Sequence, residues 1–150
     1  MLSARLIRMI ETHEEKIGAH ILREIRHDPS LSHLASLPEA DLRQRCREIL
    51  QHLGEWLLGH EEEIQRRYEG IGKSRYQDSV PLHESIRGLC LIKYAMMDFI
   101  HEQGVEPDYV ELYIEGELQS RVEKFFDLLV IRLARGYEHE WQNTMAAAAA

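Results

Sequence analysis

Residues 72–93 read GKSRYQDSVPLHESIRGLCLIK, charged and polar up to a proline and almost unbrokenly apolar after it. A proline lacks the N–H that the first turn of a helix leaves without an intrahelical partner, so Pro81 marks a start rather than a break. Asp78 or Ser79 is placed to cap that start, and Glu84 suits the positive end of the helix. Over residues 82–99 the apolar side chains Leu82, Ile86, Leu89, Cys90, Ile92, Ala95, Met96, Met97 and Phe99 fall on more than one face, which predicts a central, largely buried helix.

The pattern on both sides is also helical, and no run alternates as a strand does. Leu6, Ile10, Ile17, Ile21 and Ile25 repeat at three- and four-residue spacing over residues 2–27, and Asp28-Pro29-Ser30 ends that helix. A loop, SLSHLASLPEADL, leads to a second helix. There Ser36, three residues before Glu39, resembles a capping box, and Pro38 sits in the first turn. Leu42, Cys46, Ile49, Leu50, Leu53, Trp56 and Leu57 form its apolar stripe, and Gly59 suits its end. A weaker helix over residues 60–76 contains Gly70 and Gly72, each costing about 1 kcal/mol against alanine, so a bend is expected there.

Gly104 and Pro107 end the central helix, and a last helix runs from Pro107 or Asp108 to about Gln142. Along it Val110, Ile114, Leu118, Val122, Phe125, Leu129 and Leu133 make one stripe, and Phe126, Val130, Tyr137 and Trp141 make a second. The fold expected is an all-α bundle of four long helices plus one short bent helix, with a long C-terminal helix. Residues 1–145 form a single domain, and 146–150 are a poly-alanine tail. The second stripe is read as a homodimer seam, with burial inside the monomer as the alternative.

Composition removes several functions. A formal charge of −8, and ten acids against four bases over residues 101–140, leave no basic face for a nucleic acid. The basic clusters at Arg43, Arg45 and Arg47 and at Arg66, Arg67, Lys73 and Arg75 are interleaved with acids and read as solvated helix faces. Charges at Arg87, Lys93, Asp98 and Arg132 interrupt every apolar run, so no membrane span is expected. The first residues reach Glu11 too soon for a secretory leader, and Cys46 and Cys90 lie in helical patterns outside any C-x-x-C pair; a cytoplasmic protein with reduced thiols follows. No Gly-x-Ser-x-Gly elbow and no strand-borne phosphate loop is present, so no enzyme is expected.

Two readings compete with a plain helical domain. Glu24 with His27, and Asp98 with His101, have the carboxylate-x-x-His spacing of di-metal bundles, with Glu48 or Glu117 as further ligands. Haem is the other cofactor considered, with His83 or His101 as its ligand. His13, His20 and His27, seven residues apart, read as a boundary between core and solvent.

GKSRYQDSVPLHESIRGLCLIKYAMMDFI and the later FFDLLVIRLARGYEHE resemble the N-terminal helical domain of RsbR-type stress-signalling co-antagonists and of some bacterial sensor kinases. The likeness spans residues 21–140 and is anchored on Gly72, Arg75, Val80, Pro81, Leu82, Phe125, Phe126, Gly136 and Tyr137. It implies a non-enzymatic bacterial input domain that often dimerises through its helices and acts on an output module, although none follows Tyr137 in this sequence. A ligand or protein partner is expected between the helices, near residues 70–75 and the start of the central helix. The candidate ligand-binding residues are Arg75, Tyr76, His83, Arg87 and Tyr94, with Arg75 either holding an anionic group or locking the loop to Glu84. No cofactor is expected on this reading, and haem or a di-metal site is the alternative.

Overall fold

The computed structural model describes residues 2–102 and 109–150. Helix α1 spans Leu2–His27, a 3-10 turn Pro29–Leu31 and a short α2 Ser32–Ala35 follow, and then come α3 Glu39–Leu57, α4 Glu61–Gln77, α5 Leu82–Glu102 and α6 Tyr109–Ala149. Among the described residues there is no strand. Gly104, Pro107 and Asp108 lie outside the described residues, as do the side chains of Leu6, Val110 and Ile114. At 41 residues α6 would be about 60 Å long if straight, and it runs into the poly-alanine tail.

The α1 stripe is buried as its spacing requires: Ile10, Ile17, Ile21 and Ile25 join the core, and His13 and His20 sit half-buried at its margin, His13 against the Phe99 ring. Helix α1 packs on α3 and α5, while α4 and α6 form the largest helix pair. Leu42, Leu53, Ile64, Met96, Val122, Phe125, Phe126 and Leu129 fill the centre and are almost fully excluded from water.

Both apolar stripes of α6 face this chain's own core. Leu118, Val122, Phe125, Leu129 and Leu133 are buried, and so are Phe126 and Tyr137 of the proposed seam. Val130 packs half-buried against the core, and of that seam only Trp141 is exposed. A helix flanked by α4 on one side and α5 on the other needs two apolar stripes within the monomer.

Helix α4 continues through both glycines. The reason for Gly72 lies in the packing: a β-carbon there would collide with the Leu133 carbonyl oxygen and come within 3.1 Å of the Gly136 α-carbon. A β-carbon on Gly136 would in turn strike the Glu69 carbonyl oxygen and approach Gly72 at 2.9 Å. The two helices cross backbone on backbone at this pair, and Gly70, with open space where its β-carbon would be, has no such role.

The helix ends differ from the expected caps. Helix α3 ends as read, with Gly59 at φ 96° and the His60 N–H donating back to the Glu55 carbonyl. The same closure ends α4: Ser79 takes the left-handed conformation at φ 59°, and the Val80 N–H donates to the Arg75 carbonyl. Ser79 therefore terminates α4 instead of capping α5. Ser36 does not form a capping box, because its hydroxyl donates to the His33 carbonyl at 2.6 Å and closes α2 instead. Glu84 is buried, and beyond its place in the first turn of α5 it accepts hydrogen bonds from the Ser32 hydroxyl at 3.2 Å and the His33 N–H at 3.1 Å. A first-turn carboxylate of α5 thus satisfies the N-terminus of α2.

Candidate functional site

A cavity of about 80 Å³ lies among the helices, walled by Ile25 of α1, Leu34 of α2, Leu89 and Ile92 of α5 and Leu133 of α6. Its polar lining comes from α3 and α4, through Arg45, Glu48, His52, Tyr68 and Arg75, and from Ser85 of α5. The stripes that build the core bring these groups together. On α3, Arg45 and His52 lie three or four residues from Leu42 and Ile49, so they share the inward face.

His52 is buried and held at both nitrogens. The Arg67 guanidinium donates to Nε2, so Nε2 is an acceptor and the proton sits on Nδ1, which donates to the Tyr68 hydroxyl at 2.8 Å. Burial, and then the charge of Arg67, hold the imidazole below its usual pKa. Burial also pushes the Tyr68 hydroxyl well above the usual tyrosine range. The neutral form of His52 is therefore the folded form, while the unfolded chain takes up a proton near the ordinary histidine pKa. Its contribution to stability is complete above about pH 6.5 and is lost as the pH falls from there towards the folded-state value. A melting temperature that declines between pH 7.5 and 5.5 is expected, with a shallower decline in His52→Gln; parallel pH profiles for the two proteins would reject this assignment.

Behind Ser85, Tyr137 of α6 donates to the Val80 carbonyl at 2.9 Å. With that proton spent, the Ser85 hydroxyl donates to the Tyr137 oxygen, also at 2.9 Å. The cavity wall at Ser85 is thereby tied to α6 and to the α4–α5 connection by buried hydrogen bonds. Cys46 also lines the cavity, and burial raises its thiol to about 11, so it is an unreactive wall rather than a nucleophile.

Of the five expected ligand residues, Arg75 alone lines this cavity. It does not lock to Glu84, whose carboxylate is taken by Ser32 and His33. Tyr76 packs half-buried with its ring edge-on to Tyr137. His83 is exposed, Tyr94 lies at the surface beneath the Lys93 ammonium, and Arg87 pairs with Asp28 at 3.1 Å. Asp28 is meanwhile held below the usual carboxylate range mainly by hydrogen bonds from Ser30. The sequence reading does not single out Arg45, His52 or Tyr68 as site residues. Charged neighbours suggest a solvated face for Arg45, but its helical phase relative to Leu42 and Ile49 carries the signal.

The cofactor alternatives fare differently from the cavity. Glu24, His27, Asp98 and His101 are all exposed, and His27 Nδ1 donates to the Arg23 carbonyl; among the described residues no cluster of three or more histidine, cysteine or acidic ligands is formed. A haem needs an axial ligand from the protein, for which imidazole is one choice. His83 and His101 are exposed, and His52, the one histidine lining the cavity among the described residues, has both nitrogens engaged. These residues do not fit haem ligation.

In its helix arrangement the chain is nonetheless globin-like. It resembles the crystal structures of the globin domain of E. coli DosC, with TM-scores of 0.72 to the ferrous form II and 0.71 to the ferric form I. Each match covers 89% of this chain and 88% of that chain at 12% sequence identity, a level at which the likeness defines the fold alone. The family model of the RsbT co-antagonist protein rsbRD N-terminal domain matches residues 15–149, and the chain belongs to that family. No curated protein sequence matches it.

Proposed function

We propose that the chain is a non-enzymatic, cytoplasmic signal-input domain of bacterial stress signalling, in which an occupant of the helix-lined cavity biases the position of α6. The observation that supports this most directly is structural continuity: Leu133 of α6 forms part of the cavity wall, and Tyr137, one turn further on, is hydrogen-bonded to Ser85 in the same wall. An occupant that touches Leu133 or displaces Ser85 acts on α6 with no intermediate element. Membership of the co-antagonist family supports an input role, and among the described residues no helix is long and apolar enough to cross a membrane. By differential affinity for two positions of α6, the occupant shifts a population and does not create a new state.

The output in this reading is a second copy of the chain or an output module met through the outer face of α6. The face buried in the monomer is unavailable, but Ile131, Trp141 and Met145 are exposed on α6 at spacings of ten and four residues, which keep to one side of a helix. Sedimentation of an Ile131→Asp/Trp141→Asp double variant tests this surface. A folded monomer beside a dimeric parent is the expected result, and an unaltered dimer would place the seam elsewhere. Because His83 and His101 are exposed and both nitrogens of His52 are engaged, protein purified without supplements is expected to show no Soret band and no stoichiometric iron; either one would overturn that exclusion.

A further inference from the structure

Arg45 of α3 and Arg75 of α4 line the same small cavity, and among the described residues neither has a carboxylate partner within ion-pair distance. The Nη1 of Arg45 is fully buried with no hydrogen-bond partner. Arg75 is held below the usual arginine range by burial and then by the positive charge of Arg45. The other ionisable groups of the lining do not balance these charges: His52 is neutral, and Glu48 is exposed and accepts from Gln44 at 3.1 Å. Two half-buried guanidiniums lining one largely apolar space with no anion beside them are costly to the extent that they are desolvated, because a desolvated charge is tolerated only when it is paired. The energy lost in folding around that pair is available to an anion that enters it.

Size narrows the class. An engineered apolar cavity of about 150 Å³ accepts benzene, so the 80 Å³ here suits a molecule of a few heavy atoms. Planar, forked guanidiniums match the two oxygens of a carboxylate, and Ile25, Leu34, Leu89 and Ile92 offer a wall for a short hydrocarbon body. We infer that the cavity is a receptor site for a short-chain monocarboxylate, its carboxylate between Arg45 and Arg75 and its alkyl end against Leu89 and Ile92. This deepens the signal-input reading and rests on it, since it specifies the chemistry of the occupant.

Sodium butyrate is the probe, compared with butyramide, sodium chloride and sodium phosphate at matched ionic strength, by calorimetric titration and thermal melting. Butyrate is expected to bind and raise the melting temperature by several degrees, with butyramide and the inorganic anions without effect. Arg45→Met and Arg75→Met should each weaken butyrate by at least about tenfold. Each variant without ligand should melt higher than the parent, because an unpaired, half-buried charge is gone.

In the unaltered protein, nuclear Overhauser contacts from the butyrate methyl to Leu89 and Ile92 locate the site independently of any variant. Equal response to butyrate and butyramide, response to phosphate or chloride alone, full butyrate binding in both Arg45→Met and Arg75→Met, or no binding overturns the inference. Hydrogen exchange along α6 separates the two ideas: butyrate binding with unchanged α6 exchange removes the relay and leaves the site standing. Absent binding with the α6 dimer intact removes the carboxylate site and leaves the input reading in place.

Discussion

Gly136→Ala is expected to destabilise the domain by about 3 kcal/mol or more, whereas the chemically identical change Gly70→Ala stabilises it by up to about 1 kcal/mol. Both glycines sit inside helices, where alanine is intrinsically preferred, so the sign is decided by what the new methyl meets. At Gly136 it meets the Glu69 carbonyl oxygen and the Gly72 α-carbon, which belong to backbone and cannot rotate away. The α4–α6 pair must then separate, and that would loosen the Arg132–Glu69 ion pair at 3.0 Å and the Gln77–Glu140 hydrogen bond at 3.1 Å that flank the crossing. At Gly70 it meets open space and removes only backbone freedom from the unfolded chain. Denaturant melts of the two variants beside the parent provide the check. A Gly136→Ala protein as stable as the parent would mean that α4 and α6 do not approach this closely.

Phe126→Ala is expected to cost about 3–5 kcal/mol in a unimolecular unfolding transition, because its ring is almost wholly buried and packs edge-to-face on Phe125 at 5.3 Å between centroids. Phe125 in turn lies against Trp56 of α3, so the lost ring leaves a cavity inside the monomer between α6 and its neighbours. Read from the second stripe of α6 alone, the same change should instead dissociate a dimer and leave the monomer folded. The concentration dependence of the melting temperature distinguishes the two. A variant whose stability loss vanishes at high protein concentration would return Phe126 to a subunit interface.

The residues that carried the fold were legible because their chemistry is local. The α1 bounds follow from the isoleucine period and the Asp28-Pro29 stop, and Gly59 ends α3 because a left-handed residue is required there. The start of α5 at Pro81 was legible for the same reason, although the adjacent Ser79 belongs to the end of α4. The candidate site was legible only in Arg75. Arg45 and His52 lie on an apolar stripe whose phase was visible, but which of two flanking polar residues turns inward depends on what stands opposite. For His52 that is Tyr68, and for Arg45 it is an apolar cavity.

The sequence by itself determined that the chain is all-helical and where its main helices run, since period and caps are properties of a few neighbouring residues. Tertiary structure alone decided that Gly72 and Gly136 form a backbone crossing and that both stripes of α6 turn inward. It also decided that Glu84 serves a second helix and that two arginines share one cavity. Each of these joins residues on different helices, at least 30 positions apart, and a pairing of that kind exists only once the helices have packed.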